Sequence, residues 1–223
     1  MWHRWGAVAA LALGLAGLAG PLTSPPAGAD APQTVRTGDG YGVVLGSADA
    51  PVRLEIFCEP QCPHCAEFED ASNAQLIGGI ASGRVAVTYR WLTFLDDRRH
   101  NDASARLADA LILAADPATN PVIYQSFVGD VYRRQDSTGD GPSADDIAAM
   151  ARESGVPGPV ADRIASGEPG PENIDTTAMN AINRDLLKQA NPQKPSTPTV
   201  YDLNARTVVD TDEPGWLDTV SAQ

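Results

Sequence analysis

Val52-Arg53-Leu54-Glu55-Ile56-Phe57-Cys58-Glu59-Pro60-Gln61-Cys62-Pro63-His64-Cys65 reads as a strand that runs directly into a closely spaced cysteine pair. Val52 to Phe57 is rich in branched and aromatic residues, the composition of a strand. Pro63 then suits the first position of a helix, where a missing N–H costs nothing. A helix is predicted from Pro63 to about Gly78, with Phe68, Leu76 and Ile80 inward. Glu67, Glu69 and Asp70 are expected to face solvent near its start, where the helix dipole favours acidic groups.

A C-x-x-C pair at such a strand-to-helix turn has a defined chemistry. The first sulfur lies at the helix amino terminus, where free N–H groups and the dipole stabilise a thiolate. Cys62 is therefore expected to be the exposed, attacking sulfur with a depressed pKa, and Cys65 the buried, resolving one. Pro63 and His64 between them set the redox poise. A hydrogen bond or positive charge from His64 favours reduced Cys62, and a stabilised thiolate makes its disulfide the stronger oxidant. Zinc is the competing reading of C-x-x-C. It needs two more ligands, and only Cys58, His3 and His100 are on hand. No metal and no cofactor are expected. An inert structural disulfide is a further alternative. All three cysteines fall within eight residues, whereas a stapling framework spreads them along the chain.

Working outward, Tyr41 to Leu45 is a short strand behind a polar, loose leader from Asp30 to Gly40. Arg84 to Leu92 alternates as another strand. The pattern then turns helical: Asp102 to Ala115, Val122 to Tyr132, a helix opened by Ser143 with Asp146 as capping-box partner, Gly158 to Ser166, and Thr176 to Ala190. Gly167 to Pro171 is a break. Thr199 to Leu203 and Arg206 to Asp210 form a hairpin, and Pro214 to Val220 a last helix. This is an α/β chain: a βαβ unit and a ββα unit separated by a helical block.

The amino terminus has the three parts of a secretory signal. Met1 to Arg4 is basic, Gly6 to Gly20 is small and apolar, and Ala27-Gly28-Ala29 is an A-x-A cleavage pattern. Residues 1–29 are thus expected to be removed. The apolar run is shorter than the roughly 20 residues that span a bilayer, with an uncleaved anchor as the alternative. No second apolar stretch reaches membrane length, so no stable membrane insertion is expected after cleavage. The formal net charge is −13, which repels nucleic acid and anionic surfaces. Hydrophobic residues at 43% argue for a packed core rather than disorder.

Asp49-Ala50-Pro51-Val52, Gln61-Cys62-Pro63-His64-Cys65 and the later Thr197-Pro198-Thr199 resemble the DsbA family of thioredoxin-like oxidoreductases, from roughly Gly46 to the carboxyl terminus. The resemblance implies a thioredoxin-like fold over residues 30–95 and 191–223, with an inserted all-helical domain at 96–190 capping the redox site. It implies a cis bond before Pro198, with Pro198 beside the redox pair and Thr197 offering backbone groups to a substrate strand. It also implies an exported enzyme, periplasmic or extracellular, that donates its disulfide to unfolded or reduced exported proteins. A separate membrane-bound protein would reoxidise it. A reductase or isomerase in the same compartment, or a non-catalytic binding module of the same fold, are the alternatives.

Cys58 departs from the family pattern, which has a non-cysteine residue there. It reads as a buried small hydrophobe, an alternative disulfide partner for Cys62, or an intermolecular link. Glu55 is a candidate proton acceptor for Cys65, as an equivalent acid is in relatives, or else it pairs with Arg53 or lies at a sheet surface. His100 is read as a solvated residue opening the first inserted helix.

Overall fold

A computed structural model describes residues 31–136, 139–167 and 175–222. The leader segment 1–29 and most of the Gly167 to Pro171 break lie outside these residues. Six strands form one sheet in the order β1-β2-β4-β3-β5-β6. β3 (Val52–Cys58) and β4 (Val85–Trp91) are its parallel centre, joined by α1 (Pro63–Ala81). The other pairings are antiparallel: β1 (Gln33–Arg36) on β2 (Val43–Gly46), β2 on β4, β3 on β5 (Thr199–Asp202), and β5 on β6 (Thr207–Val208). Both central strands are covered on both faces, as parallel strands require. Leu54, Ile56 and Cys58 face a main core with α1 and α4 (Pro121–Arg133), whereas Phe57 faces a smaller core with Leu187 of α7 (Thr176–Ala190).

The helical block lies between β4 and β5. It comprises α2 (Phe94–Arg99), α3 (Ala103–Ala114), α4, α5 (Ala144–Glu153), α6 (Gly158–Ala165) and α7. The Ser143–Asp146 capping box forms as the sequence predicts. α8 (Trp216–Ser221) closes the chain, its Trp216 Nε1 donating to Ser72 Oγ of α1 at 3.1 Å. This is a thioredoxin-like α/β fold with a helical insertion.

Several expectations are corrected. The supposed leader contains β1, an edge strand made by backbone pairing with β2 rather than by an apolar pattern. The short helix α2 was not expected, and His100 ends it in a left-handed conformation (φ 56°) instead of opening a helix. Glu69 does not face solvent. Its residue is 1% exposed, in the buried stripe Cys65, Phe68, Glu69, Ser72, Asn73, Leu76 and Ile80. α4 covers that stripe closely: a Cβ on Gly129 would come within 2.4 Å of Asn73 Nδ2. The polar members are matched there, Asn73 Nδ2 donating to the Gln125 carbonyl at 3.1 Å.

Candidate active site

The chain leaves β3 at Cys58 and folds back through Glu59-Pro60-Gln61-Cys62, a turn closed by the Cys62 N–H donating to the Glu59 carbonyl at 2.9 Å. Cys62 is then the N-cap of α1, with Pro63 in the first turn. Its carbonyl accepts from the N–H groups of Cys65 at 3.1 Å and Ala66 at 3.2 Å, so the first helical turn is formed on Cys62 itself. Cys62 is 7% exposed, and Cys65 and Cys58 are 0%. Cys62 is thus the outer sulfur, as expected.

Around it, the structure brings Thr197 to Cys62, with Pro198 next in the chain. The Thr197–Pro198 bond is cis. The Cys62 thiol donates to the Thr197 carbonyl at 3.6 Å. Beyond them lies a groove of about 610 Å³, lined among others by His64, Lys194, Thr197, Pro198 and Val208. His64 is exposed at its rim, its Nδ1 2.9 Å from Glu67 Oε2. Glu67 raises the His64 pKa first, with a contribution from Cys62.

The expected depression of Cys62 is not what the reduced pair shows. Its hydrogen bond to Cys65 and its burial push the Cys62 thiol up. The Cys65 amide and the Thr197 side chain act in the opposite direction. Cys65 is raised well above an ordinary thiol by burial and by contact with Cys58. The helix terminus favours a thiolate, but the neighbouring Cys65 and burial outweigh it.

Glu55 is excluded as the acid of this site. Strand alternation turns it to the sheet face opposite Cys58, where its Oε1 accepts from Arg90 Nε at 2.8 Å and Arg90 reaches on to Asp39 at 2.7 Å. Its partner is Arg90, not Arg53. Sequence reading missed two other buried carboxylates. Glu59 accepts from the Gln61 N–H at 2.7 Å and from the Ser104 hydroxyl, and burial raises its pKa to about 7. Glu69 is raised to about 7 by burial as well. Glu59 follows Cys58 directly, so its place in the motif was the available signal.

Gln61 and Gln135, also missed, hold the cysteine loop to the helical block. The Gln61 side-chain amide lies 2.8 Å from Asp96 Oδ1 and 2.8 Å from Ser104 Oγ, and the Gln61 backbone carbonyl accepts from Arg99 at 3.1 Å. Gln135 Nε2 reaches the carbonyls of Pro60 at 2.9 Å and Cys62 at 3.0 Å. Among the described residues, no group of three or more His, Cys, Asp or Glu is placed to hold a metal ion.

Solved structures of similar fold include MdbA, a thiol-disulfide oxidoreductase from Corynebacterium diphtheriae, at 19% identity and a TM-score of 0.68, covering 86% of this chain and 95% of that one. DsbA from Mycobacterium tuberculosis, in its reduced form, matches at 19% identity and a TM-score of 0.56, covering 86% and 98%. In sequence, the serine/threonine-protein kinase PknE of Mycobacterium tuberculosis is 30% identical over 206 residues, or 89% of this chain and 35% of the kinase. The chain therefore spans about a third of the length of the curated relatives it matches. A family model described as thioredoxin matches residues 39–214, which takes in the parallel βαβ centre, the cysteine pair and the cis proline, and the chain belongs to that family.

Proposed function

We propose that the protein is an exported thiol–disulfide oxidoreductase that passes a disulfide from Cys62–Cys65 to dithiols of secreted proteins. The observation that carries this reading is the placement of Cys62: outermost of the pair, on the helix N-cap, and bonded to the carbonyl of Thr197, which lines the groove together with Pro198 and His64. A substrate thiolate attacks Cys62 Sγ, and Cys65 leaves as the thiolate and takes up a proton. A second substrate thiolate then attacks the substrate sulfur bonded to Cys62. The substrate disulfide closes, and Cys62 leaves. Both electrons stay on the two protein sulfurs, and no cofactor takes part.

Unfolded or reduced exported proteins fit the groove as partners, since its wall includes Thr197 and the exposed edge around Val208. Helices α2 to α7 act as the cap over the site, tied to it through Gln61 and Gln135. Export to a periplasmic or extracellular compartment rests on the leader at 1–29. A separate membrane-bound partner restores the disulfide. No helix among the described residues is long and apolar enough to cross a membrane.

The reductase or isomerase direction is favoured by the raised Cys62 thiol: the neighbouring Cys65 and burial disfavour its thiolate in the reduced pair, which weakens the disulfide as an oxidant. The reduction potential separates the two. A value near about −120 mV marks a strong oxidant and one near about −270 mV a thioredoxin-like reductant. The pair itself is tested by Cys65→Ser, which leaves Cys62 able to attack and unable to be released. Mixed disulfides between Cys62 and exported proteins should accumulate in this variant. Their absence, with the variant folded, overturns the assignment.

A further inference from the structure

Cys58 closes β3, the turn Glu59–Cys62 folds the chain back, and one helical turn later Cys65 returns over the strand end. The three sulfurs share one core. Cys58 lies on the inner face of β3 and Cys65 on the buried stripe of α1, in the same core, and Cys65 is near enough to both Cys58 and Cys62 for each to alter its titration. The contact of Cys58 is with Cys65, the resolving sulfur, and both are fully buried. The Tyr132 hydroxyl beside them has no conventional hydrogen-bond partner. Cys58 is a free thiol in this structure.

We propose that Cys58 is a third redox-active thiol, which attacks Cys65 of the oxidised pair to give an internal Cys58–Cys65 disulfide and a free Cys62. The inference rests on Cys62–Cys65 being the redox pair. The Cys58–Cys65 bond forms as the Cys62–Cys65 bond breaks, and the proton of Cys58 ends on Cys62. The protein stays at the same oxidation level, so no external oxidant or reductant enters the step.

The two isomers differ in what they offer a substrate. With Cys62–Cys65 closed, the disulfide lies beside Thr197, a lining residue of the groove, and is passed on. With Cys58–Cys65 closed, the disulfide is buried and Cys62 is a free nucleophile in an otherwise oxidised protein. That form attacks a substrate disulfide, and a substrate thiol then displaces Cys62, which rearranges the substrate's disulfide without changing its oxidation state. Cys58 would give one chain both a donating and a rearranging form.

The test is a thiol map of the full protein oxidised with diamide and incubated at about pH 8, near an ordinary thiol pKa. After acid quenching, free thiols are labelled with N-ethylmaleimide in denaturant, and the remaining cysteines are reduced and labelled with iodoacetamide. Trypsin leaves all three cysteines between Leu54 and Arg84, so fragment ions place each label. If the two disulfides differ by no more than about 30 mV, Cys62 carries about a tenth or more of the first label. A first label confined to Cys58 overturns the inference and leaves the Cys62–Cys65 pair standing. Failure to form Cys62–Cys65 at all overturns the proposed pair. Cys62→Ser gives an independent reading. Diamide should convert its two remaining thiols into one intramolecular disulfide, and a variant that keeps both thiols free counts against the proposal. Should that variant not fold, the wild-type map decides alone.

Discussion

Replacing Glu69 by Gln should stabilise the protein at alkaline pH and not at acid pH. Glu69 is fully buried and meets only neutral donors: the Tyr89 hydroxyl at 2.7 Å, Gln125 Nε2 at 3.1 Å and Asn73 Nδ2 at 3.2 Å. Those bonds lower its pKa, but desolvation outweighs them and carries it from 4.5 to about 7. A carboxyl raised in the fold binds its proton more tightly folded than unfolded. Stability is therefore complete below pH 4.5 and falls as pH rises toward 7. The full shift corresponds to about 3 kcal/mol at about 1.4 kcal/mol per unit. Between pH 5 and pH 8, about 2 to 3 kcal/mol of it develops. Gln has nearly the same shape and no charge to desolvate. Urea unfolding of both proteins, held reduced by a phosphine, should show Glu69→Gln equal to or slightly below wild type at pH 5. At pH 8 it should have gained about 2 to 3 kcal/mol relative to wild type, a midpoint shift of about 1 M for a slope near 2 kcal/mol/M. Glu59 carries the same sign of dependence, but it is present in both proteins and cancels in the difference. A difference that does not change with pH, or that grows in favour of wild type, would refute the reasoning, because Glu69 would then be held as a charge.

Two stability predictions test the framework around the site. A methyl on Gly79 would come within 2.5 Å of Val85 Cγ2, between α1 and β4. Gly79→Ala should therefore lower stability by about 1 to 2 kcal/mol despite the better helix propensity of Ala, and a Tm equal to or above wild type would contradict that packing. Asn183 is 0% exposed and donates to the carbonyls of Tyr41 at 2.9 Å and Trp91 at 2.8 Å. Asn183→Ala leaves both without this donor and should cost about 2 kcal/mol in urea unfolding; a loss under about 0.5 kcal/mol would show that other groups or water satisfy them.

The parallel centre was legible because two periods meet at one motif. β3 alternates, α1 follows a 3.6-residue stripe, and Pro63 marks the change. α7 was legible for the same reason, its ends Thr176 and Ala190 falling where the pattern predicts. β1 and α2 were not, because an edge strand of four residues and a helix of six hold too few positions for a period to show. Glu69 was misread by weighing its charge against its position. It is four residues after Cys65 and next to Phe68, on the stripe, and α4 supplies the donors that let a carboxylate sit there. That information lies more than fifty residues away, at Gln125.

The same limit explains the cysteines. Spacing places Cys58, Cys62 and Cys65 within eight residues and excludes a distributed framework, yet it does not say which sulfurs touch. Along the chain Cys58 is nearer to Cys62, and if it pairs at all, spacing alone points to that sulfur. The turn at Glu59–Cys62 carries Cys62 outward to the Thr197 carbonyl, while the first turn of α1 carries Cys65 inward onto the strand end. A strand end, a tight turn and a helix start thus reverse the order of contact. Cys65, farthest from Cys58 in sequence, becomes its neighbour, and in the proposed chemistry it stands between two candidates for its bond. Which one holds it sets whether the outer sulfur of the oxidised protein is spent in a disulfide or free to attack.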